Sequence, residues 1–234
     1  MLPVQERFHA FQGEGVHMGR SAFFIRTYGC PVQCPWCDSA GTWHHAYRPE
    51  VDKLRMSVEM LVEEALFCNA EFVVVTGGEP LIHDLAPLVN ALHGEGIQVH
   101  LETCGAFPIK GGAIFDWITL SPKDNRPPLK HMLHLADEFK IIVEKPEDIE
   151  RWFDVILYET NELRAETVQV WLHPEWSQRE NPAVLGAICE AVKGRSQKPR
   201  FRAGWQMHKP YMVDAGDART APRVPLGGDP ARGY

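Results

Sequence analysis

Apolar residues recur along the chain in two alternating rhythms. Runs of strand length occupy Ser21–Ile25, Phe72–Val75, Ile97–Leu101, Trp117–Leu120, Phe139–Val143, Val168–Leu172 and Phe201–Met207. Between them the spacing becomes helical. Val58, Leu61, Val62, Ala65 and Leu66 share one helix face, with Ser57 placed to cap it. Leu85, Leu88, Val89 and Leu92 form a second stripe, with Gly94 as its stop. Helical patterns also cover Glu147–Tyr158 and Pro182–Val192, the latter opening on proline. Leu129–Leu135 is too short for its period to decide. About seven strands alternating with helices predict an α/β fold of parallel βαβ units. An open doubly wound sheet and a full or partial barrel both fit. In either, chemistry gathers where strands end at their C-terminal side.

Polar and special residues do follow the strands. Tyr28-Gly29-Cys30 follows the first and Thr76-Gly77-Gly78-Glu79-Pro80 the second. Glu102-Thr103, Ser121-Pro122-Lys123, His173-Pro174-Glu175-Trp176 and His208-Lys209 follow later ones. From Pro210 onward the chain turns rich in Pro and Gly, which divides it into a body, 1–209, and a tail, 210–234, either disordered or a packed extended arm.

Composition narrows the function. With 44% hydrophobic and 24% charged residues, the 234-residue chain has a globular balance. No run approaches the roughly 18 apolar residues of a membrane span, so no membrane partner is expected. The start, MLPVQERFHAFQGEG, lacks an apolar stretch behind basic residues, so no secretory signal is expected and the reading is cytoplasmic. A net charge of −7 argues against a nucleic-acid partner, which calls for a basic face.

Six cysteines are scattered except for Cys30, Cys34 and Cys37, in the segment Cys30-Pro-Val-Gln-Cys34-Pro-Trp-Cys37. Thiolates hold iron–sulfur clusters, most of which take four. Three ligands without a nearby fourth would leave one iron open to a small molecule. The alternatives are a zinc site completed by a distant ligand such as His44 or His45, and plain buried thiols. Cys68 and Cys189 fall in helical patterns and are expected as core thiols, and Cys104 as a structural residue. The His44-His45 pair is expected to be solvated.

The C-x3-C-x2-C trio after a strand and Gly77-Gly78-Glu79-Pro80 after the next resemble the radical S-adenosylmethionine (SAM) superfamily. The match is finer with its 7-carboxy-7-deazaguanine synthases. Phe11-Gln12-Gly13-Glu14-Gly15, Phe24-Ile25-Arg26, Cys37-Asp38-Ser39, Thr76-Gly77-Gly78, Glu102-Thr103, Ser121-Pro122-Lys123 and Gln206-Met-His208-Lys209 carry it. The resemblance implies a partial (β/α) barrel of about six parallel strands, with an N-terminal hairpin-like extension and a C-terminal tail. It implies a [4Fe–4S] cluster on Cys30, Cys34 and Cys37, with SAM chelating the open iron. The implied reaction converts 6-carboxy-5,6,7,8-tetrahydropterin to 7-carboxy-7-deazaguanine and ammonia, in queuosine and other 7-deazapurine biosynthesis. Hydrogen is taken from the pterin C6 and later returned.

Roles follow from the same resemblance. Trp36, Cys37, Asp38, Gly78 and Glu102 would line the SAM site. Ser121, Pro122, Lys123, His173, Pro174, Glu175 and Trp176 would flank its adenosine end. Phe11, Gln12, Gly13, Glu14, Arg26 and Thr76 would meet the substrate, Arg26 through a planar fork suited to the carboxylate. Ser39 would offer Mg2+ a hydroxyl where many family members have Thr. Family chains commonly end soon after the HK segment, whereas this one continues to Tyr234. A homodimer and an electron donor such as a flavodoxin are also implied. Two other readings are a radical SAM activase acting on a partner protein and a zinc-stabilised binding module that is not an enzyme.

Overall fold

The computed structural model describes residues 1–44, 55–159, 167–194 and 200–213. Among the described residues nine strands form one sheet: β1 Leu2–Phe11, β2 Ser21–Thr27, β3 Arg55–Met56, β4 Phe72–Gly77, β5 Gln98–Thr103, β6 Trp117–Leu120, β7 Glu138–Val143, β8 Gln169–Pro174 and β9 Phe201–Ala203. Their order is β3-β1-β2-β4-β5-β6-β7-β8-β9. β1 pairs antiparallel with β2 and β3, and β2 with β4 through β9 form seven parallel strands. After the hairpin each parallel strand lies beside its predecessor, which is the sequential winding of a barrel left open at one side. The doubly wound alternative would reverse strand order partway.

The helices are α1 Val58–Cys68, α2 Ala86–Gly94, α3 Lys130–Leu135, α4 Glu147–Glu159, α5 Pro182–Gly194 and α6 His208–Tyr211. Ser57 caps α1 as expected, its Oγ accepting from Met60 N at 3.2 Å. Gly94 is not the left-handed stop of α2 but its last helical residue. The positive φ falls at Gly96, whose N donates to His93 O. β1 with β2 forms the hairpin that the resemblance implies, although Gln5, Arg7 and His9 interrupt the apolar residues of β1. Its burial alternates from Leu2 to Phe8, the mark of a strand with one face covered.

Strand parity sorts the side chains. Phe23, Ile25, Val73, Val75, Val99, Leu101, Leu120, Phe139, Ile141, Val170 and Leu172 point outward into the main core. They meet Leu61 and Ala65 of α1, Leu88 and Leu92 of α2, Trp152 and Phe153 of α4 and Val184 and Ile188 of α5. The other set points inward. Near the N-terminal ends of the strands it is apolar and aromatic: Phe24, Phe72 and Val74 cluster with Phe8 and Ala22. His17 lies against the rings of Phe72, His100 and Trp117. Near the C-terminal ends the inward set becomes polar. The sheet curves enough for the β1–β2 loop to reach β7, where Val16 N donates to Glu138 Oε2 at 2.9 Å.

Two expectations change. The last strand stops at Ala203 instead of Met207, because Gly204 lies on the His173 ring. A Cβ there would sit 2.3 Å from His173 Nε2. Cys189 is exposed, one position beyond the buried Ile188 on α5, so it is not a core thiol, whereas Cys68 is half-buried and packs against the main core. Lys209, where the body is expected to end, lies within α6, and residues 214–234 of the expected tail lie outside the described ones.

Candidate active site

The Cys30–Cys37 loop leaves β2 through Gly29, whose φ of +102° suits glycine. Its underside packs on Gly78, where a Cβ would fall 2.1 Å from Gly29 O and 3.0 Å from Cys30 Cβ. Glycine is thus needed at 78 for this approach of two loops. Glu79 braces the floor. Its carboxylate accepts from Leu81 N, from Thr103 Oγ1 at 2.6 Å and from Cys104 N at 2.9 Å, joining the ends of β4 and β5. Cys104 packs beside Val32 and Cys34.

Cys30, Cys34 and Cys37 line one wall of a cavity of about 930 Å³. Burial raises all three thiol pKa values, that of Cys34 to about 11, while Lys123 opposes the shift at Cys34. Trp43 Nε1 donates to Cys37 Sγ at 3.3 Å, a contact that favours the thiolate. Among the described residues no three His, Cys, Asp or Glu side chains are gathered tightly enough to hold a single ion. Three thiols on one loop facing the cavity are the donor set that an iron–sulfur cluster takes. His44 is half-buried against the Trp43 ring, and His45 lies outside the described residues.

The same cavity is lined by Trp36, Asp38, Gly78, Ser121, Lys123, Glu175 and Trp176. Lys123 Nζ donates to Ser121 Oγ at 2.7 Å and lies 5.4 Å from the Trp36 ring centroid. Pro122 and Pro174 are buried off this wall, and His173 is not part of it. His173 points inward one layer below, into a small enclosed space bordered by Glu14, Lys140 and Trp171.

A second cavity, about 640 Å³, adjoins the first and is lined by Phe11, Gln12, Gly13 and Glu14 with Phe8, Phe24 and His208. The two share Arg26, Asp38, Ser39, Thr76, Glu102, Lys140 and Gln206. Arg26 therefore points inward, beside Thr76 in the β2–β4 register. Its Nε donates to Glu6 Oε1 at 2.6 Å, and this partner raises its pKa against the effect of burial. Glu102 accepts from Gln12 Nε2 at 2.9 Å and from Thr76 Oγ1 at 3.3 Å, which binds it to the substrate-side residues as well as to the SAM side. Ser39 Oγ lies at the junction, 3.4 Å from Gly77 O and 3.7 Å from Cys37 Sγ.

Four residues outside the sequence-based site complete the polar floor. Lys140 is ion-paired with Glu14. Lys209, 5% exposed, pairs with Asp38 at 3.0 Å, and Gln206 Nε2 donates to the same Asp38 oxygen. His208 packs on Gly13. Burial pushes the Asp38 carboxyl up, but Lys209 and His208 hold it well below the carboxylate range. Gln206, His208 and Lys209 belong to the segment quoted for the resemblance, and Lys140 had a usable signal of its own: in Glu138-Phe-Lys140-Ile-Ile, charges alternate with apolar residues in a strand inside a parallel sheet.

Sequence comparison adds an independent line. The profile of the Radical SAM superfamily matches residues 24–158. The chain is 42% identical over 207 residues to a 7-carboxy-7-deazaguanine synthase of Synechocystis sp., covering 88% of this chain and 91% of that protein. It is 36% identical over 211 residues to the synthase of that name from Flavobacterium psychrophilum, covering 89% and 91%. The crystal structure of QueE from Escherichia coli superposes with a TM-score of 0.72 at 30% identity, over 88% of this chain and 94% of that one. No described helix is long and apolar enough to cross a membrane.

Proposed function

The chain belongs to the 7-carboxy-7-deazaguanine synthases of the radical SAM superfamily, and from that premise we propose how its two cavities divide the reaction. The reaction contracts 6-carboxy-5,6,7,8-tetrahydropterin to 7-carboxy-7-deazaguanine and releases ammonia, a step of queuosine biosynthesis. The superfamily carries a [4Fe–4S] cluster and SAM, which here would sit on Cys30, Cys34 and Cys37 in the larger cavity. When bound, they supply removal and return of one hydrogen atom of the substrate.

The chain's own residues do the rest. Trp36, Asp38 and Gly78, with Ser121, Lys123, Glu175 and Trp176, hold SAM. The pterin occupies the smaller cavity, where Arg26 pairs with its carboxylate. Gln12, Glu14, Thr76 and Glu102 present donors and acceptors to the flat ring. Ser39 offers Mg2+ an oxygen, the ligand type that ion prefers. The enzyme works in the cytoplasm as a homodimer, on electrons from a flavodoxin-like donor, with body and tail divided near Lys209. The observation that carries this reading is the merging of the two cavities at Arg26, Thr76 and Glu102, directly beside Cys37-Asp38-Ser39.

Anaerobic incubation of the reconstituted protein with SAM, reductant and the carboxytetrahydropterin tests it. Mass spectrometry should find 7-carboxy-7-deazaguanine in many-fold excess over the cluster. SAM cleavage without consumption of the carboxypterin would favour the activase reading and sink this one.

A further inference from the structure

Lys140 sits where the cavities meet and borders both, as well as the enclosed space beneath them. It rises from β7 on the inward face, between Glu138 and Ile142. Its ammonium pairs with Glu14, which comes from the β1–β2 loop on the far side of the opening. We propose that Lys140 is the acid and base of the ring contraction, giving a proton to the departing nitrogen and taking one from the ring carbon. This rests on the reading above.

The reaction demands such a group. The departing nitrogen is bonded to two carbons and one hydrogen in the substrate and leaves as ammonia, so it gains two hydrogens. One is accounted for by the hydrogen removed at the start and given back. The other balances a proton lost from the CH2 carbon as the new five-membered ring becomes aromatic. As the C–N bond breaks, its electron pair stays on nitrogen, which takes the proton of Lys140 Nζ. The neutral amine then takes the CH2 proton, and that C–H pair becomes the ring double bond. Lys140 ends as it began, and the sequence needs no oxidant or reductant.

The other side chains of the smaller cavity do not fit the role. Arg26 cannot release a proton in a protein. Glu14 and Asp38 are already engaged by Lys140 and Lys209. His208 is held neutral, chiefly by burial. Glu102 already accepts from Gln12 and Thr76. Burial works against the charge of Lys140, but Glu14, Glu102 and Asp38 outweigh it and keep the ammonium loaded. Below the pair, Glu14 Oε1 and both nitrogens of His173 are buried without hydrogen-bond partners.

Two variants test this: Lys140→Met, and Lys140→Arg, which keeps a cation for Glu14 but has no proton to give. Carboxypterin deuterated at C6 is the substrate, and binding to the oxidised enzyme is titrated calorimetrically. Both variants should bind carboxypterin within about 5-fold of the parent and still pass deuterium into SAM. Deazaguanine formation should fall roughly 100-fold or more, the usual yield of one positioned acid–base group. Methylamine should restore part of the Lys140→Met activity. Deuterium transfer falling in step with product would make Lys140 a substrate-placing residue and overturn the proposal, as would near-parent turnover by Lys140→Arg. Absence of deuterium transfer in the parent protein would instead indict the functional reading.

Discussion

The two faces of one sheet make the most instructive contrast in this molecule. Outward residues such as Phe23, Ile25, Val75, Leu101 and Phe139 are buried hydrocarbon against helices. Their inward neighbours, one position away, are Arg26, Thr76, Glu102, Glu138 and Lys140. Both sets are largely removed from solvent, yet the first is satisfied by packing alone, and the second needs a partner for every charge. Glu6 answers Arg26, Glu14 answers Lys140, and Gln12 with Thr76 answers Glu102. Stability and chemistry therefore share the same strands but seldom the same residues.

That separation can be broken from either side. The largest effect is expected on the outer face. Phe139→Ala should cost about 3–5 kcal/mol of unfolding free energy in denaturant titration, from lost burial and the cavity left behind. The activity per folded molecule should stay near that of the parent. A proportionate loss of both would show that the faces are not separable.

On the inner face, Arg26→Lys should leave the denaturation midpoint within about 1 kcal/mol but weaken carboxypterin binding. A lysine retains charge and loses the planar fork. Losing one charge-assisted hydrogen bond worth about 1.5–3 kcal/mol predicts roughly 10- to 150-fold in Kd. SAM affinity, measured in the same calorimeter, should change far less. Equal carboxypterin affinity in both proteins would remove Arg26 from the substrate site.

An effect smaller per pH unit sharpens the contrast. Burial lowers the pKa of inward-facing His173 from 6.5 to about 4, opposed by Glu14 and reinforced by Lys140 and His208. The unfolded chain therefore takes up this proton first as pH falls. The stability that neutral His173 contributes is full above pH 6.5 and declines toward pH 4, by up to about 1.4 kcal/mol per pH unit. His173→Gln should flatten stability against pH in that window. An unchanged slope would mean that this histidine titrates alike in both states.

Most of the sheet was legible because the hydrophobic rhythm is local. Trp117–Leu120 and the helix starts at Val58, Glu147 and Pro182 agree with the structure to the residue. The cysteine loop, the GGE turn and the polar residues after each strand were equally plain, since they are punctuation in the chain. β1 was harder, as polar residues interrupt it, and Cys189 was misplaced because its stripe did not reveal which of two adjacent positions faces the core.

Local patterning along the chain set the order of strands and helices, the cysteine trio and the end of the sheet where chemistry collects. The tertiary structure alone decided what those residues do to one another. A strand buried on both faces has no polar side to give away its parity, so only the fold could turn Arg26 inward beside Thr76. Only the curvature of the sheet could bring Lys140 to Glu14, 126 positions away. It also joined Glu102 to Gln12 and placed His173 beneath that floor, apart from Glu175 and Trp176. Hydrophobic periodicity acts over a few residues and is written in the chain. The pairing of buried charges acts across the closed space between strands, and only folding creates that space.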